Sequence, residues 1–358
     1  MNPSVPSARR SNTLSSSLGL GEKLFASSDE RKFVADIEQG LERVEEGLLR
    51  EMSFADNLAD VTTRYLFEAG GKRVRPVLTL LTAQLGSGSN PLVETAAMAI
   101  EITHLASLYH DDVMDEAQMR RGVPSAQTVW GNSVAILTGD LLFARASKLV
   151  ATLGERAIVL QADTFERLCL GQLHETIGPR SDQDPIAHYI QVLADKTGSL
   201  IAAAADIGVM FSGAPEEYRA PVVAFGEKIG VAFQLIDDII DLSEKAEETG
   251  KVAGTDLRSG VATLPLLYLR ESAATNPDDA DLLTRLERDA NAAFYGEADD
   301  AELAAAIAEL RRHEVTERTR TEAHRWAREA VEALAPLPDG PVVKALTRFA
   351  DSVVERSK

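Results

Sequence analysis

Apolar positions recur at spacings of three and four from about Asp29 to the end of the chain. In RKFVADIEQGLERVEEGLLREM, Phe33, Val34, Ile37, Leu41, Val44 and Leu48 fall on one helical face. NLADVTTRYLFEAGGKRVRPVLTLLTAQL continues the pattern, breaks at Gly70-Gly71 and restarts at Arg75-Pro76, where proline suits a first helical turn. Gly86 to Pro91 reads as a loop, and AAMAIEITHLASLY, mostly apolar, as a buried helix. After Gly122, VPSAQTVWGN reads as a loop, SVAILTGDLLFARASKLVATL as an apolar helix and Glu155 to Ile177 as another. SDQDPIAHYIQVLADKTGSLIAAAADIGVMFSG supplies two further helical runs, with Pro185 in the first turn of one. Pro221 to Ile240 is helical, EKAEETGKVAGTDLRSGVATLP is a polar, Gly-rich loop, and the chain beyond Leu264 is helical and increasingly charged. Alternating strand patterns and fixed-period repeats are missing. The expected fold class is all-α, one large helical bundle with central buried helices over residues 29–358. Residues 1–28, Ser-rich and without a continuous apolar run, are expected to form a disordered tail and not a secretory signal.

Composition narrows the classes of partner. Of 358 residues 45% are hydrophobic, enough for a large core, and 56 acidic against 37 basic residues give a net charge of −19. That balance argues against general nucleic-acid or anionic-membrane binding, although a local basic pocket fits within it. No run of about 18 uninterrupted apolar residues suggests a membrane span. The single cysteine, Cys169, excludes an intramolecular disulfide, fits a reducing cytoplasm, and reads as a small core residue in FERLCLGQL.

The candidate chemistry begins at HDDVMDEAQMRRG. Asp111, Asp112 and Asp115 stand at i, i+1 and i+4, at the end of an apolar helix. Carboxylates placed so repel one another unless a cation sits among them, and Mg²⁺ suits because it leaves coordination positions open for phosphate oxygens. Asp237, Asp238 and Asp241 in GVAFQLIDDIIDLSEK repeat the spacing at the end of a second apolar helix. Two such clusters facing each other suit several Mg²⁺ ions around one polyanion. Lys72, Arg73 and Arg75 follow the glycine break, and Arg120-Arg121 follow the first aspartates. Basic groups beside carboxylates, in an acidic protein, point to a metal-chelated phosphate.

These motifs, in order, resemble those of the trans-isoprenyl diphosphate synthases, the polyprenyl synthetase family. The resemblance runs from about Lys32 to the C-terminus through GGKRVRP, HDDVMD with MRRG, GQLHE, DKTGSL, FQLIDDIIDL and GTDLRSGVATLP. It implies an isoprenoid-synthase bundle around a deep cavity, a homodimer, and Mg²⁺-dependent head-to-tail condensation of isopentenyl diphosphate onto an allylic diphosphate. By position, Asp111, Asp112, Asp115, Asp237, Asp238 and Asp241 would ligate Mg²⁺ on the allylic diphosphate. Arg120, Lys196, Thr197, Gln234 and Lys251 would contact that diphosphate or its metals, and Lys72, Arg73, His104 and Arg121 would bind isopentenyl diphosphate. Taken alone, a histidine in an apolar helix such as His104 is more often a hydrogen-bonded core residue; the family context gives it the diphosphate role. His110, His174 and His188 read as structural, His110 with a supporting role behind the metal site. The sequence departs from the family at Val261, where a lysine often follows the glycine of the last loop motif.

The family context also addresses product length. Residues preceding Asp111, Ala106, Ser107 and Thr103 among them, should line the tunnel for the growing tail, and Ala106 and Ser107 are small where short-chain members commonly place an aromatic. Burial of each five-carbon unit is worth roughly 3–4 kcal/mol, so an open tunnel favours elongation to about C30–C50, most simply a quinone side-chain precursor. The rivals are a short- or medium-chain geranylgeranyl diphosphate synthase and a noncatalytic subunit of a heteromeric synthase. Release of a long lipid product is compatible with transient membrane contact.

Overall fold

In the computed structural model, residues 28–243, 253–294 and 300–356 are described. The tail expected over residues 1–28 therefore lies almost wholly outside the described residues, as does Lys251. The chain divides into two compact units. The first takes the residues up to 166 with 199–226 and 331–349; the second takes 167–198, 227–330 and 350–358.

The first unit is built from α1 (Ser28–Glu51), α2 (Asn57–Glu68), α3 (Val74–Ala83) and α4 (Pro91–Met114), then α5 (Ala126–Trp130), α6 (Asn132–Leu153) and the start of α7 (Glu155–Ile177). α4 is central, packed most extensively on α6 and also on α1 and α3. Asn90 opens it by accepting hydrogen bonds from the amides of Leu92 and Val93, with Pro91 in the first turn. Ala96, Ala97, Ile102, Leu105 and Ala106 are all fully buried, so a Leu105→Ala cavity would cost about 2–5 kcal/mol. Near the other end Tyr109, also fully buried, donates to the carbonyl of Thr62 and accepts from the amide of Leu66 at 3.2 Å, which pins α4 to α2.

The second unit contains α8 (Pro185–Leu193), a π-turn (Ala194–Gly198), the C-terminal half of α10 (Arg219–Asp241), α11 (Thr255–Arg258), α12 (Leu264–Ala273), α13 (Pro277–Phe294), α14 (Asp300–Arg312) and most of α15 (Glu314–Ala333). The intervening α9 (Ser199–Phe211) lies in the first unit, where Thr79 and Thr82 of α3 hydrogen-bond the carbonyls of Ala204 and Ala205 at 2.8 Å each. α16 (Pro341–Glu355) closes the chain. No helix among the described residues is long and apolar enough to cross a membrane.

Three local expectations change. VPSAQTVWGN holds α5, opened by a Ser125 cap, and its first residues pair with Met119–Arg120 in a two-residue antiparallel ladder, β1 (Met119–Arg120) with β2 (Val123–Pro124). Such a ladder is too short to print an alternation in sequence. The expected loop GTDLRSGVATLP contains the one-turn helix α11. Cys169 is exposed on α7, not a core residue: within FERLCLGQL Leu168 is buried, while Cys169 is exposed along with Leu170 and Leu173.

Candidate active site

The basic half of the site forms where α2 ends and α3 begins. Gly70 and Gly71 adopt positive φ, and Arg73, at φ 50°, is a non-glycine residue in the left-handed region. Arg121, at φ 53°, is another. Such conformations cost of order 1 kcal/mol or more each and persist only where surrounding contacts fix them. Here the contacts are the C-terminal carbonyls of α2. Arg73 donates to the carbonyls of Phe67 at 3.2 Å and Gly70 at 3.3 Å, and Arg121 to those of Leu66 at 2.7 Å and Gly70. Cations at a helix C-terminus are favoured by its dipole, and the Arg73 guanidinium also covers the Phe67 ring at 4.2 Å. A side chain at position 71 would collide with Arg73, its Cβ falling 2.7 Å from the guanidinium, so glycine there admits both arginines.

The arginines surround His104 on α4. Burial, then the charges of Arg75, Arg121, Arg120 and Arg73, hold its imidazole well below the ordinary histidine range. His104 is therefore neutral near pH 7, with one ring N–H to donate. Lys72 is exposed beside this group, and Arg75 has a buried Nε without a hydrogen-bond partner among the described residues.

The first aspartate cluster closes α4. Asp112 is fully buried; its Oδ1 accepts from Nε of Arg120 at 2.6 Å, and its Oδ2 is buried without a hydrogen-bond partner among the described residues. Burial pushes the Asp112 carboxyl up, and Arg120 opposes the rise. Asp111 is half-buried, while Asp115 is exposed and ends the helix, its amide donating to the carbonyl of Asp111 at 2.8 Å. His110 turns to α6, its Nε2 3.1 Å from the carbonyl oxygen of Ile136, in a structural role.

The second cluster closes α10. Asp238 is buried, and its Oδ2 accepts from the Tyr189 hydroxyl of α8 at 2.7 Å. Burial, with the charges of Asp256 and Asp237 acting the same way, pushes this carboxyl well above its usual range. Asp237 pairs with Arg356 at 3.0 Å, and Oδ2 of Asp241 accepts from the amide of Asp256 at 3.1 Å. Lys196 and Thr197 sit in the π-turn, a geometry that re-aims side chains within a helical path. Glycines make the turn possible: a Cβ on Gly230 of α10 would lie 2.5 Å from Cα of Gly198. Lys196 bonds Glu175 at 2.5 Å, and Arg167 braces the turn through Asp195 at 2.9 Å. Gln234 is half-buried on α10. His188 contacts the carbonyl of His174 at 3.2 Å, and both serve local structure. Val261 donates its amide to the carbonyl of Asp256 at 2.9 Å and brings no charge to the loop.

Among the described residues, no three or more His, Cys, Asp or Glu side chains are spaced to hold a metal by themselves. The donors nevertheless fit Mg²⁺. Each cluster presents a buried carboxylate whose ionised form burial disfavours, and Oδ2 of Asp112 has no hydrogen-bond partner among the described residues. A divalent cation reverses that penalty, and Mg²⁺ takes its remaining octahedral positions from water and phosphate oxygens.

Residues 56–297 match the family model for polyprenyl synthetase. The chain belongs to the polyprenyl synthetase family. It is 44% identical over 346 residues to a nonaprenyl diphosphate synthase from Mycobacterium tuberculosis, covering 96% of this chain and 98% of the relative. Among solved structures it is similar to a polyprenyl synthase from Caulobacter crescentus complexed with calcium and isoprenyl diphosphate, with a TM-score of 0.81 and 31% identity over 92% of this chain and 98% of the other. It is also similar to a geranylgeranyl pyrophosphate synthase from Corynebacterium glutamicum, likewise complexed with calcium and isoprenyl diphosphate. There the TM-score is 0.77 and the identity 39%, over 93% of this chain and 98% of the other. The all-α fold and the family read from the motifs are thereby borne out.

Sequence reasoning missed Glu101, Tyr109 and Tyr189 in this synthetase. Glu101 did leave a signal, a lone carboxylate in an apolar helix one turn before His104. The two tyrosines left none, since a buried tyrosine is ordinary in a core.

Proposed function

We propose that the chain is a Mg²⁺-dependent, long-chain all-trans polyprenyl diphosphate synthase. It condenses isopentenyl diphosphate head-to-tail onto an allylic diphosphate to give products of about C30–C50. One observation carries the reaction class: α4 bears His104 among four arginines and, about 10 Å further along, the aspartates that end with Asp115. A basic pocket suited to one diphosphate and a carboxylate–arginine site suited to a metal-chelated one thus share a single helix. The near full-length similarity to a nonaprenyl diphosphate synthase supports the long product.

In this reading Lys72, Arg73, Arg121 and neutral His104 bind isopentenyl diphosphate. Arg120, Lys196, Thr197, Gln234 and Lys251 hold the allylic diphosphate, and Asp111, Asp112, Asp115, Asp237, Asp238 and Asp241 hold Mg²⁺. When bound, Mg²⁺ neutralises charge developing on the departing diphosphate. The cationic side chains act on the same oxygens as the allylic C–O bond breaks. The isopentenyl double bond then attacks the allylic cation, forming a carbon–carbon bond. The proton lost from the new cation goes to the released diphosphate. Apolar walls keep water from the cation. Ala106, Ser107 and Thr103 set product length.

Residues 29–358 act as one polyprenyl synthetase domain, cytoplasmic, serving quinone side-chain synthesis and touching the membrane transiently as product leaves. The partner is a second copy of the chain. Ile136, Leu137 and Leu141 on α6, with Ile158, Val159 and Phe165 on α7, are exposed large apolar residues of the kind an isologous interface covers. Leu137→Glu should convert dimer to monomer, as read by light scattering; an unchanged dimer mass would place the interface elsewhere.

A second expected effect concerns Tyr189. Its hydroxyl orients Asp238, so Tyr189→Phe should raise the half-saturating Mg²⁺ concentration about tenfold while leaving the KM for isopentenyl diphosphate unchanged. A Mg²⁺ titration of initial rates checks this.

A second reading, a medium-chain geranylgeranyl diphosphate synthase, is favoured by the 39% identity to the Corynebacterium enzyme. Product sizing after incubation with Mg²⁺, labelled isopentenyl diphosphate and ten-, fifteen- or twenty-carbon primers decides between them.

A further inference from the structure

We propose that Glu101 is a positioning residue for the isopentenyl diphosphate pocket, a buried carboxylate that sets the placement of Arg73, Arg75 and Arg121 before substrate arrives. The inference rests on the reading of that pocket given above. Glu101 projects from α4 one helical turn before His104, and its side chain is 2% exposed. Its Oε1 lies 3.4 Å from Nη1 of Arg73, whose own side chain is 5% exposed. The other carboxylate near Arg73, Glu45 at 3.4 Å, is 33% exposed and is screened by water.

Glu101 also acts on the neighbouring arginines. Burial lowers the proton affinity of Arg75, and Glu101 is the charge that opposes it. Burial pushes Arg121 down to about 10, and Glu101 is again the largest opposing influence. Three guanidinium groups therefore share one carboxylate that is almost wholly removed from solvent. Buried cations crowded without an anion repel one another and fray the elements that carry them. Here those elements are the two left-handed backbone turns at Arg73 and Arg121, whose side chains are tied to the carbonyls that end α2.

The geometry also explains why an anion-binding pocket would retain a carboxylate. A pocket tuned only for charge would omit Glu101, because removing a negative group increases attraction for a diphosphate. A pocket tuned for position keeps it. Glu101 ties Arg73, at the start of α3, to the same helix that carries Asp111 and Asp112. It thereby fixes the isopentenyl diphosphate relative to the allylic carbon. Misplacement of reactants by about 1 Å costs on the order of 100-fold in rate.

The two accounts predict opposite signs for Glu101→Gln. If Glu101 positions the arginines, kcat/KM for isopentenyl diphosphate falls about 100-fold, with the KM for the allylic primer unchanged. Calorimetric binding of isopentenyl diphosphate without Mg²⁺ weakens in parallel. If the pocket works by charge alone, that binding tightens, and equal or tighter binding overturns the proposal. Should Glu101→Gln fail to fold, as judged by its thermal midpoint, Glu101→Asp carries the test. It keeps the charge but withdraws it by one methylene, so weakened isopentenyl diphosphate binding is expected at normal stability, and wild-type affinity overturns the proposal. Wild-type protein that does not bind isopentenyl diphosphate would overturn the reading of the pocket itself, a result distinct from either variant's.

Discussion

Asp112→Asn should lower kcat by about a thousandfold while leaving the fold intact. The asparagine is nearly isosteric and its carbonyl oxygen still accepts the hydrogen bond that Arg120 Nε gives Asp112 at 2.6 Å. Packing in this fully buried position is preserved. What changes is charge. Burial already pushes the Asp112 carboxyl up, and its Oδ2 has no hydrogen-bond partner among the described residues. A buried acceptor of that kind is costly, and a cation is the ligand that turns the cost into affinity. Steady-state rates over a range of Mg²⁺ concentrations, alongside a thermal midpoint, check the prediction. A loss below about tenfold at saturating Mg²⁺ would remove Asp112 from the metal set.

Ser107→Phe should shorten the product while leaving the first condensation competent. Ala106, Ser107 and Thr103 are all buried on α4. Two of them carry hydroxyls, yet both turn inward on their own helix: Ser107 Oγ donates to the carbonyl of His104 at 2.9 Å and Thr103 Oγ1 to that of Ala99 at 2.9 Å. What remains for a neighbour is small and apolar, the surface that a growing hydrocarbon tail requires. A phenyl ring one turn before Asp111 would obstruct that path at a stability cost of about 1–3 kcal/mol. Chromatographic sizing of the variant's products checks the shift, and an unchanged distribution would free Ser107 of any role in length control.

How much of this was legible in sequence depended on the kind of signal each residue leaves. The aspartate clusters announced themselves because three carboxylates at i, i+1 and i+4 after an apolar run are hard to explain as a solvated face, and the repeat doubled the weight. The loop ending at Pro91, the restart at Arg75-Pro76 after the Gly70-Gly71 break, and Pro185 in a first turn lie close to the observed starts of α4, α3 and α8. The π-turn at Ala194–Gly198 was not legible, because one extra residue within a helical path leaves the apolar period almost undisturbed. Cys169 was misplaced for a related reason: apolar content marks a face that avoids water without saying what covers it. Glu101 and Tyr189 derive their roles from groups distant in the chain, Arg73 and Asp238, so only the folded arrangement reveals them.

The central claim is that this acidic, all-helical chain extends an allylic diphosphate well past the short-chain stage by successive additions. The most direct measurement incubates the purified protein with an allylic primer, labelled isopentenyl diphosphate and Mg²⁺, then sizes the dephosphorylated products by chromatography. The account predicts Mg²⁺-dependent products centred on about C30–C50. Products that stop at about C15 or C20, or none from the chain alone, would contradict it.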